Sequence, residues 1–277
     1  MIQIQNLSFS YRHTPVFSNI NLSFEKGSIY GLLGENGVGK TTLLKIISGL
    51  QRPQQGSCTV DGYTSFDRMP AFLQNIVFLP DDVVLPDEAT PEKYIKGLAP
   101  FYPDYSGEAF SEMMREMDTD PARRFKEMSF GQRKKSLIAC ALALGTDYVL
   151  LDEPTNGLDI PSKASFRRIL SKRVGDESTI VIATHQVRDV ENLIDPIIIL
   201  TQDAVLLNAP IRDITEKLLF EYGRQKAENA LYSEMMPDGY LNVTFNTTGE
   251  ESEVNIEALF NAVLRKKEKI NQLFNQQ

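Results

Sequence analysis

The sequence predicts an α/β fold: a mainly parallel sheet flanked by helices, with an antiparallel β subdomain and an inserted helical subdomain. Three observations predict it. Five short runs, 28–33, 76–79, 148–151, 179–183 and 197–200, are almost wholly apolar, as strands covered on both faces are. Stretches with apolar residues at helical spacing alternate with them, the pattern of strand–helix–strand units. Two early stretches, 2–9 and 20–24, alternate polar and apolar residues and read as antiparallel strands around His13-Thr14-Pro15.

The strand at 28–33 runs straight into a glycine-rich loop and then into Leu43, Leu44, Ile46, Ile47 and Leu50 at helical spacing. The strand at 76–79 ends at Pro80-Asp81-Asp82. Residues 90–128 are Met-rich, charged and helical in pattern, with breaks at Gly97, Pro100, Pro103 and Pro121, which marks them as an insertion. A helix at 132–144 ending near Gly145, a strand at 148–151, a helix at 163–174 and a strand at 179–183 resume the alternation. A short helix at 187–194 and late strands at 197–200 and 205–207 follow. Residues 213–221 and 256–274 have helical spacing, and 240–245 reads as a candidate strand. The expected division is therefore a core of 1–215, its helical subdomain at about 86–140, and a C-terminal appendage at 216–277.

Composition excludes several classes. With 42% hydrophobic and 24% charged residues in 277, the chain is ordinary globular material rather than disordered. Lys and Arg number 29 against 37 Asp and Glu, and a net charge of −8 lacks the basic footprint of a nucleic-acid binder. Cys58 and Cys140 are too few for a disulfide scaffold and match a reduced, cytosolic chain. The longest apolar runs, 137–144 and 197–200, fall far short of the ~20 residues of a spanning helix. The first dozen residues lack the charged start and apolar centre of a signal peptide, so Asn242-Val-Thr and Asn246-Thr-Thr read as chance acceptors. The expected location is the cytoplasm.

Three motifs carry chemistry. In Gly34-Glu35-Asn36-Gly37-Val38-Gly39-Lys40-Thr41-Thr42, glycines let successive backbone N–H groups turn inward around a polyphosphate, at the positive end of the following helix. Lys40 supplies a point charge to β- and γ-phosphates, and the Thr41 hydroxyl is placed to ligate Mg²⁺. A flexible turn before an unrelated helix is the plainer reading, disfavoured by the strand and helix on either side. The 148–151 strand delivers Asp152 and Glu153 to its carboxyl end, where ligands of open α/β sheets bind. Asp152 suits a metal-orienting role and Glu153 the polarisation of an attacking water. Met128-Ser129-Phe130-Gly131-Gln132-Arg133 opens a helix with Ser129 as its cap, and taken alone it reads first as an ordinary capped helix.

Together with Thr155-Asn156-Gly157-Leu158-Asp159 and His185 one strand later, these motifs resemble the ATP-binding-cassette ATPases over about residues 1–215, most of all the ATP-binding subunits of export-type transporters. The resemblance implies a P-loop core that binds ATP and Mg²⁺. It makes residues 34–42 the phosphate loop, Thr41 and Asp152 the metal-holding pair, Glu153 the catalytic base, and His185 the switch that holds the γ-phosphate. Tyr11, by itself only a strand tyrosine, falls where the family places an aromatic against adenine. Ser129, Gly131, Gln132 and Asp159 would serve the nucleotide of a second cassette packed head to tail, of the same or a different chain. Two positions depart from the family. Phe130 replaces the first glycine of the usual Leu-Ser-Gly-Gly-Gln, and Asp81 stands where a Gln usually approaches Mg²⁺; being shorter, Asp81 would reach the metal through water.

The resemblance also implies partners: separate transmembrane permease subunits, with this chain peripheral on the cytoplasmic face of the membrane. They would dock near 90–128 and the Asp81 loop. Val83-Val84-Leu85 is read equally as a non-polar ledge for them and as a turn packed on the core. The alternative is a soluble ATPase of this type with no transport role. The last helix, with its basic Arg265-Lys266-Lys267, is a packed capping helix by default, with a dimer contact or a regulatory flap as the other readings.

Overall fold

The structure, a computed structural model, describes residues 1–173, 178–202 and 204–274. In order along the chain come β1 (Ile2–Tyr11), β2 (Thr14–Phe24), β3 (Ile29–Leu33), α1 (Lys40–Ile47), β4 (Gln55–Val60), β5 (Tyr63–Thr64), α2 (Pro70–Leu73) and β6 (Ile76–Leu79). Then come α3 (Pro91–Leu98), α4 (Gly107–Glu116), α5 (Phe130–Ala143), β7 (Tyr148–Asp152), α6 (Ile160–Arg173) and β8 (Thr179–Thr184). The remainder is β9 (Ile197–Leu200), β10 (Val205–Ala209), α7 (Ile211–Lys217), β11 (Leu218–Gly223), β12 (Tyr232–Met236), β13 (Gly239–Phe245), α8 (Ile256–Arg265) and α9 (Lys267–Phe274).

The central sheet has the order β10-β9-β3-β8-β7-β6, parallel except for the edge strand β10. Its apolar strands are buried on both sides because alternate residues feed two different cores. Tyr30, Leu32, Leu150 and Val181 face a core shared with α1 and the antiparallel sheet β2-β1-β4-β5. Ile29, Leu33, Leu151 and Ile182 face one shared with α5, α6 and the C-terminal elements. Residues of α3 and α4 close a third, smaller core on α5, built on Ile95, Phe110 and Met114. Both cysteines are free and buried, Cys58 in β4 and Cys140 in α5, and burial pushes their thiols up to about 11 and about 12.

Register positions the chemistry. Leu33 pairs with Thr184, Asp152 with Ala183, and Leu79 with Leu151. The segments that follow β3, β6, β7 and β8 therefore leave the sheet at one carboxyl edge, side by side.

Several expectations need correction. Residues 187–194 form only a 3₁₀ turn at Val187–Asp189, after which Ile194 packs so closely on Gly31 that an added Cβ would lie 2.4 Å from its Cδ1. The helix expected over 213–221 spans Ile211–Lys217; Leu218–Gly223 is a strand because it pairs along its whole length with β13. The 256–274 helix is two, broken at Lys266. Strands β4, β5 and β12 were not anticipated, their sequences being polar and short. The expected end of the 163–174 helix at Val174 lies outside the described residues. At the C-terminal end, β11-β13-β12 form an antiparallel sheet, and α8 packs on it and on the Val187–Asp189 turn, where Arg188 meets Glu257 at 2.7 Å.

Candidate active site

The loop between β3 and α1 is shaped by what its glycines must avoid. A Cβ on Gly34 would lie 2.7 Å from the Leu200 carbonyl oxygen, and Gly39 sits at φ +107, which an L side chain rarely adopts. No side chain caps α1, so its first N–H groups face the loop's interior, as an anion site requires. The Lys40 side chain is buried, its Nζ donating to the carbonyls of Gly34 at 2.7 Å and Glu35 at 3.2 Å. Burial holds this ammonium below the ordinary lysine range, with Glu153 and Asp152 pulling the other way. Glu35, Asn36 and Gly37 form the exposed crest, while Val38 and Thr42 are buried at its foot.

Beneath the loop, Thr41 Oγ1 donates to Asp152 Oδ2 at 2.6 Å. Asp152 is 3% exposed, and burial, reinforced by the nearby charges of Glu153 and Asp81, raises its carboxyl above the usual range. A hydroxyl and a buried, under-compensated carboxylate in contact beside a polyphosphate cradle fit a divalent cation that also takes substrate oxygens. The next residue, Glu153, has φ +44, a conformation uncommon for a side chain of its kind and typical of functional turns. The turn aims its carboxylate at the end of β8: Oε2 accepts from Thr184 Oγ1 at 2.9 Å, and Oε1 from the His185 backbone N–H at 3.1 Å. Oε1 also lies 2.6 Å from His185 Nδ1. Tyr11, nearly half exposed, stands edge-on to Phe9 with its hydroxyl 3.4 Å from Thr42 Oγ1, at the rim of the loop.

A second group lies apart from the loop. Ser129 and Gln132 form a reciprocal capping box, Ser129 Oγ accepting from the Gln132 N–H at 3.2 Å and Gln132 Oε1 from the Ser129 N–H at 3.0 Å. Gly131 must be a glycine, since a Cβ there would meet the Gly157 carbonyl oxygen at 2.8 Å. Asp159 caps α6 by accepting from the Ser162 N–H at 3.0 Å, and this bonding lowers its carboxyl.

The model of the family described as "ABC transporter" matches residues 17–156, half of the chain. The chain belongs to the ABC transporter family. It is that family's ATP-binding, ATP-hydrolysing cassette. It is 32% identical over 212 residues to the ABC transporter ATP-binding protein NatA of Bacillus subtilis, a match spanning 72% of this chain and 83% of that one. It is 29% identical over 194 residues to YtrB of the same organism, spanning 70% of this chain and 66% of YtrB. Among solved structures, an ATP-binding subunit of an ABC transporter superposes with TM-score 0.68 at 26% identity, over 77% of this chain and 91% of that one. A dimeric post-hydrolysis cassette, MJ0796 with ADP and Pi, shares the fold with TM-score 0.65 at 24% identity, over 76% and 98%.

In this cassette Tyr11 meets Thr42, Thr41 meets Asp152, and Glu153, next along the chain from Asp152, meets His185. Among the described residues, Ser129 and Gln132 bond each other rather than the loop. Asp81 is held by two groups to which sequence reasoning gave no role of their own: Lys134 Nζ donates to its Oδ1 at 2.9 Å, and Asn156 Nδ2 to its Oδ2 at 3.2 Å. Lys134 was hidden in a basic run that reads as a solvated face, and Asn156 in a run of turn residues. The hydroxyl of Thr184 was missed too, although its place at the end of an apolar strand beside His185 was a usable signal.

Proposed function

We propose that this cassette is the motor subunit of an export-type ABC transporter, hydrolysing MgATP between two head-to-tail cassettes and driving separate transmembrane subunits. The observation that carries the reading is the joining of Thr41 to Asp152 and of Glu153 to His185 at one edge of the sheet, under a phosphate-shaped loop. When ATP enters, the loop's N–H groups and the α1 N-terminus receive its phosphates, and Lys40 exchanges two backbone carbonyls for β- and γ-oxygens. Thr41 and Asp152 would hold Mg²⁺, which supplies charge neutralisation at the phosphates, with Asp81 reaching it through water. Tyr11 offers its exposed ring to the adenine. Glu153, held by Thr184 and His185, takes a proton from the attacking water, and His185 holds the γ-phosphate.

Ser129, Gly131, Gln132 and Asp159 complete the site of the opposite cassette. Their remoteness from their own loop's hydrogen bonds and the exposed face of Phe130 support that arrangement. No helix among the described residues is long and apolar enough to cross a membrane, so the spanning subunits would be separate chains; the place on the cytoplasmic face rests on the family resemblance. Outward transport rests on the resemblance to export-type cassettes; uptake of cargo into inverted vesicles containing the permease would support it.

The test is the solution mass of Glu153→Gln. A dimer with MgATP and a monomer with MgADP are expected, together with turnover lowered by about 10²–10⁴-fold, the size of a lost general base. A monomer that still binds MgATP would overturn self-pairing, and near-normal turnover would remove Glu153 from its role.

A further inference from the structure

The segment after β6 carries an ion pair of unusual placement. Lys134, on the first turns of α5, has a side chain only 2% exposed, and its ammonium donates both to Asp81 Oδ1 at 2.9 Å and to the Asp81 carbonyl at 3.1 Å. A buried ammonium needs such compensation. Its partner is different: the Asp81 side chain is 37% exposed, and its charge is felt at Asp152. The carboxylate thus lies between a buried cation and the opening of the site.

Its other oxygen reaches the catalytic loop. Asn156 Nδ2 donates to Asp81 Oδ2 at 3.2 Å, and the Asn156 backbone N–H donates to the Glu153 carbonyl at 3.1 Å. Glu153 holds a strained φ of +44, so its carboxylate keeps its aim only if the surrounding turn is over-determined. The same turn is where Gly131, opening α5, lies so near the Gly157 carbonyl oxygen that an added Cβ would meet it at 2.8 Å. Three backbone segments therefore meet at one carboxylate: the end of β6, the start of α5 and the turn that aims the base.

We infer that Asp81 is a positioning residue for hydrolysis, a joint tied to Lys134 and Asn156 that registers the Glu153 turn against α5. The inference rests on the ATPase reading above and adds to it. Asp81 acts through Asn156 on Glu153, whatever water-mediated contact it makes with a metal. A side-chain network of this kind is a physical route by which a shift of α5 reaches the base.

The test avoids Asp81 itself, since neutralising it would strand the buried ammonium. Lys134→Met replaces that ammonium with an apolar chain of similar reach and leaves a carboxylate that water already touches; Asn156→Ala cuts the joint on the other side. Both are expected to bind MgATP with unchanged Kd and to lose kcat by about tenfold, the size of one ordinary side-chain coupling, with Lys134→Arg recovering most of it. The Mg²⁺ concentration for half-maximal rate is expected to stay put. Melting curves identify any variant that fails to fold, and Asn156→Ala, at a partly exposed site, then carries the test. Wild-type kcat in Asn156→Ala would overturn the inference, as would a deficit in either variant that saturating Mg²⁺ repairs. Glu153→Gln is assayed alongside: if the wild type shows no turnover that this change abolishes, the ATPase reading falls and the inference with it. Full turnover in Lys134→Met and Asn156→Ala, by contrast, overturns only the role of Asp81.

Discussion

The contact between Thr41 and Asp152 asks a carboxylate to stay ionised where burial works against it. The folded state raises the Asp152 carboxyl, so the folded chain binds this proton more tightly than the unfolded chain does. The resulting penalty is absent below the unfolded carboxyl range and is fully present once pH has risen through the raised value. Asp152→Asn, which keeps an acceptor for Thr41, is therefore expected to raise the Tm of the nucleotide-free protein at neutral pH. The gain is about 2–4 °C per kcal/mol for a chain of this size. It should vanish in acid while Mg²⁺-dependent turnover is lost at every pH. A lower Tm at neutral pH would mean the site holds that charge without cost. Lys40→Ala has a simpler expectation, because its ammonium is already curled under the loop: ATP binding by equilibrium dialysis should be largely abolished, and unchanged affinity would remove Lys40 from the phosphates. These residues were legible in the sequence because phosphate chemistry demands glycine, lysine and hydroxyl at fixed spacing. Lys134 and Asn156 were not, since nothing local distinguishes a buried lysine from its solvated neighbours until the fold brings an aspartate to it from 53 residues away.

At the scale of elements, the parallel strands were readable because being covered on both faces makes them apolar throughout. The boundary at Lys217 was not. Leu218–Gly223 continues the helical spacing of α7 smoothly, and only pairing with β13, 17 to 27 residues further on, turns it into a strand. Tertiary pairing likewise made β4 from a polar run that periodicity gave no reason to call a strand. The C-terminal elements raise a question of cooperativity. Leu259 of α8 is wholly buried in the same core as β3, β7 and β8, and α8 also covers the turn that follows His185. Leu259→Ala is expected to cost about 2–5 kcal/mol, the usual range for a leucine cavity. Differential scanning calorimetry should show the whole chain melting earlier in a single transition. Two transitions, with only the smaller one shifted, would make residues 218–274 an independent unit.

On the scale of the whole molecule, the sheet gathers its chemistry at one edge and leaves its two sides to different tasks. One side holds α1 and the loop before it with the antiparallel sheet, and the other carries α5, α6 and the C-terminal elements. The two buried thiols sample these territories separately, Cys58 from the antiparallel sheet and Cys140 from where α5 meets the inserted helices. Both are buried, and burial pushes them up to about 11 and about 12, so alkylation of either is expected to await the opening of its surroundings. The molecule thus contains two clocks. Timed alkylation read by mass spectrometry would record how often each region opens in the native state, without any introduced label. Closing two cassettes on ATP should slow both clocks in Glu153→Gln. If only the Cys58 clock slows, ATP tightens the nucleotide-bearing region and leaves the inserted helices as free to open as before.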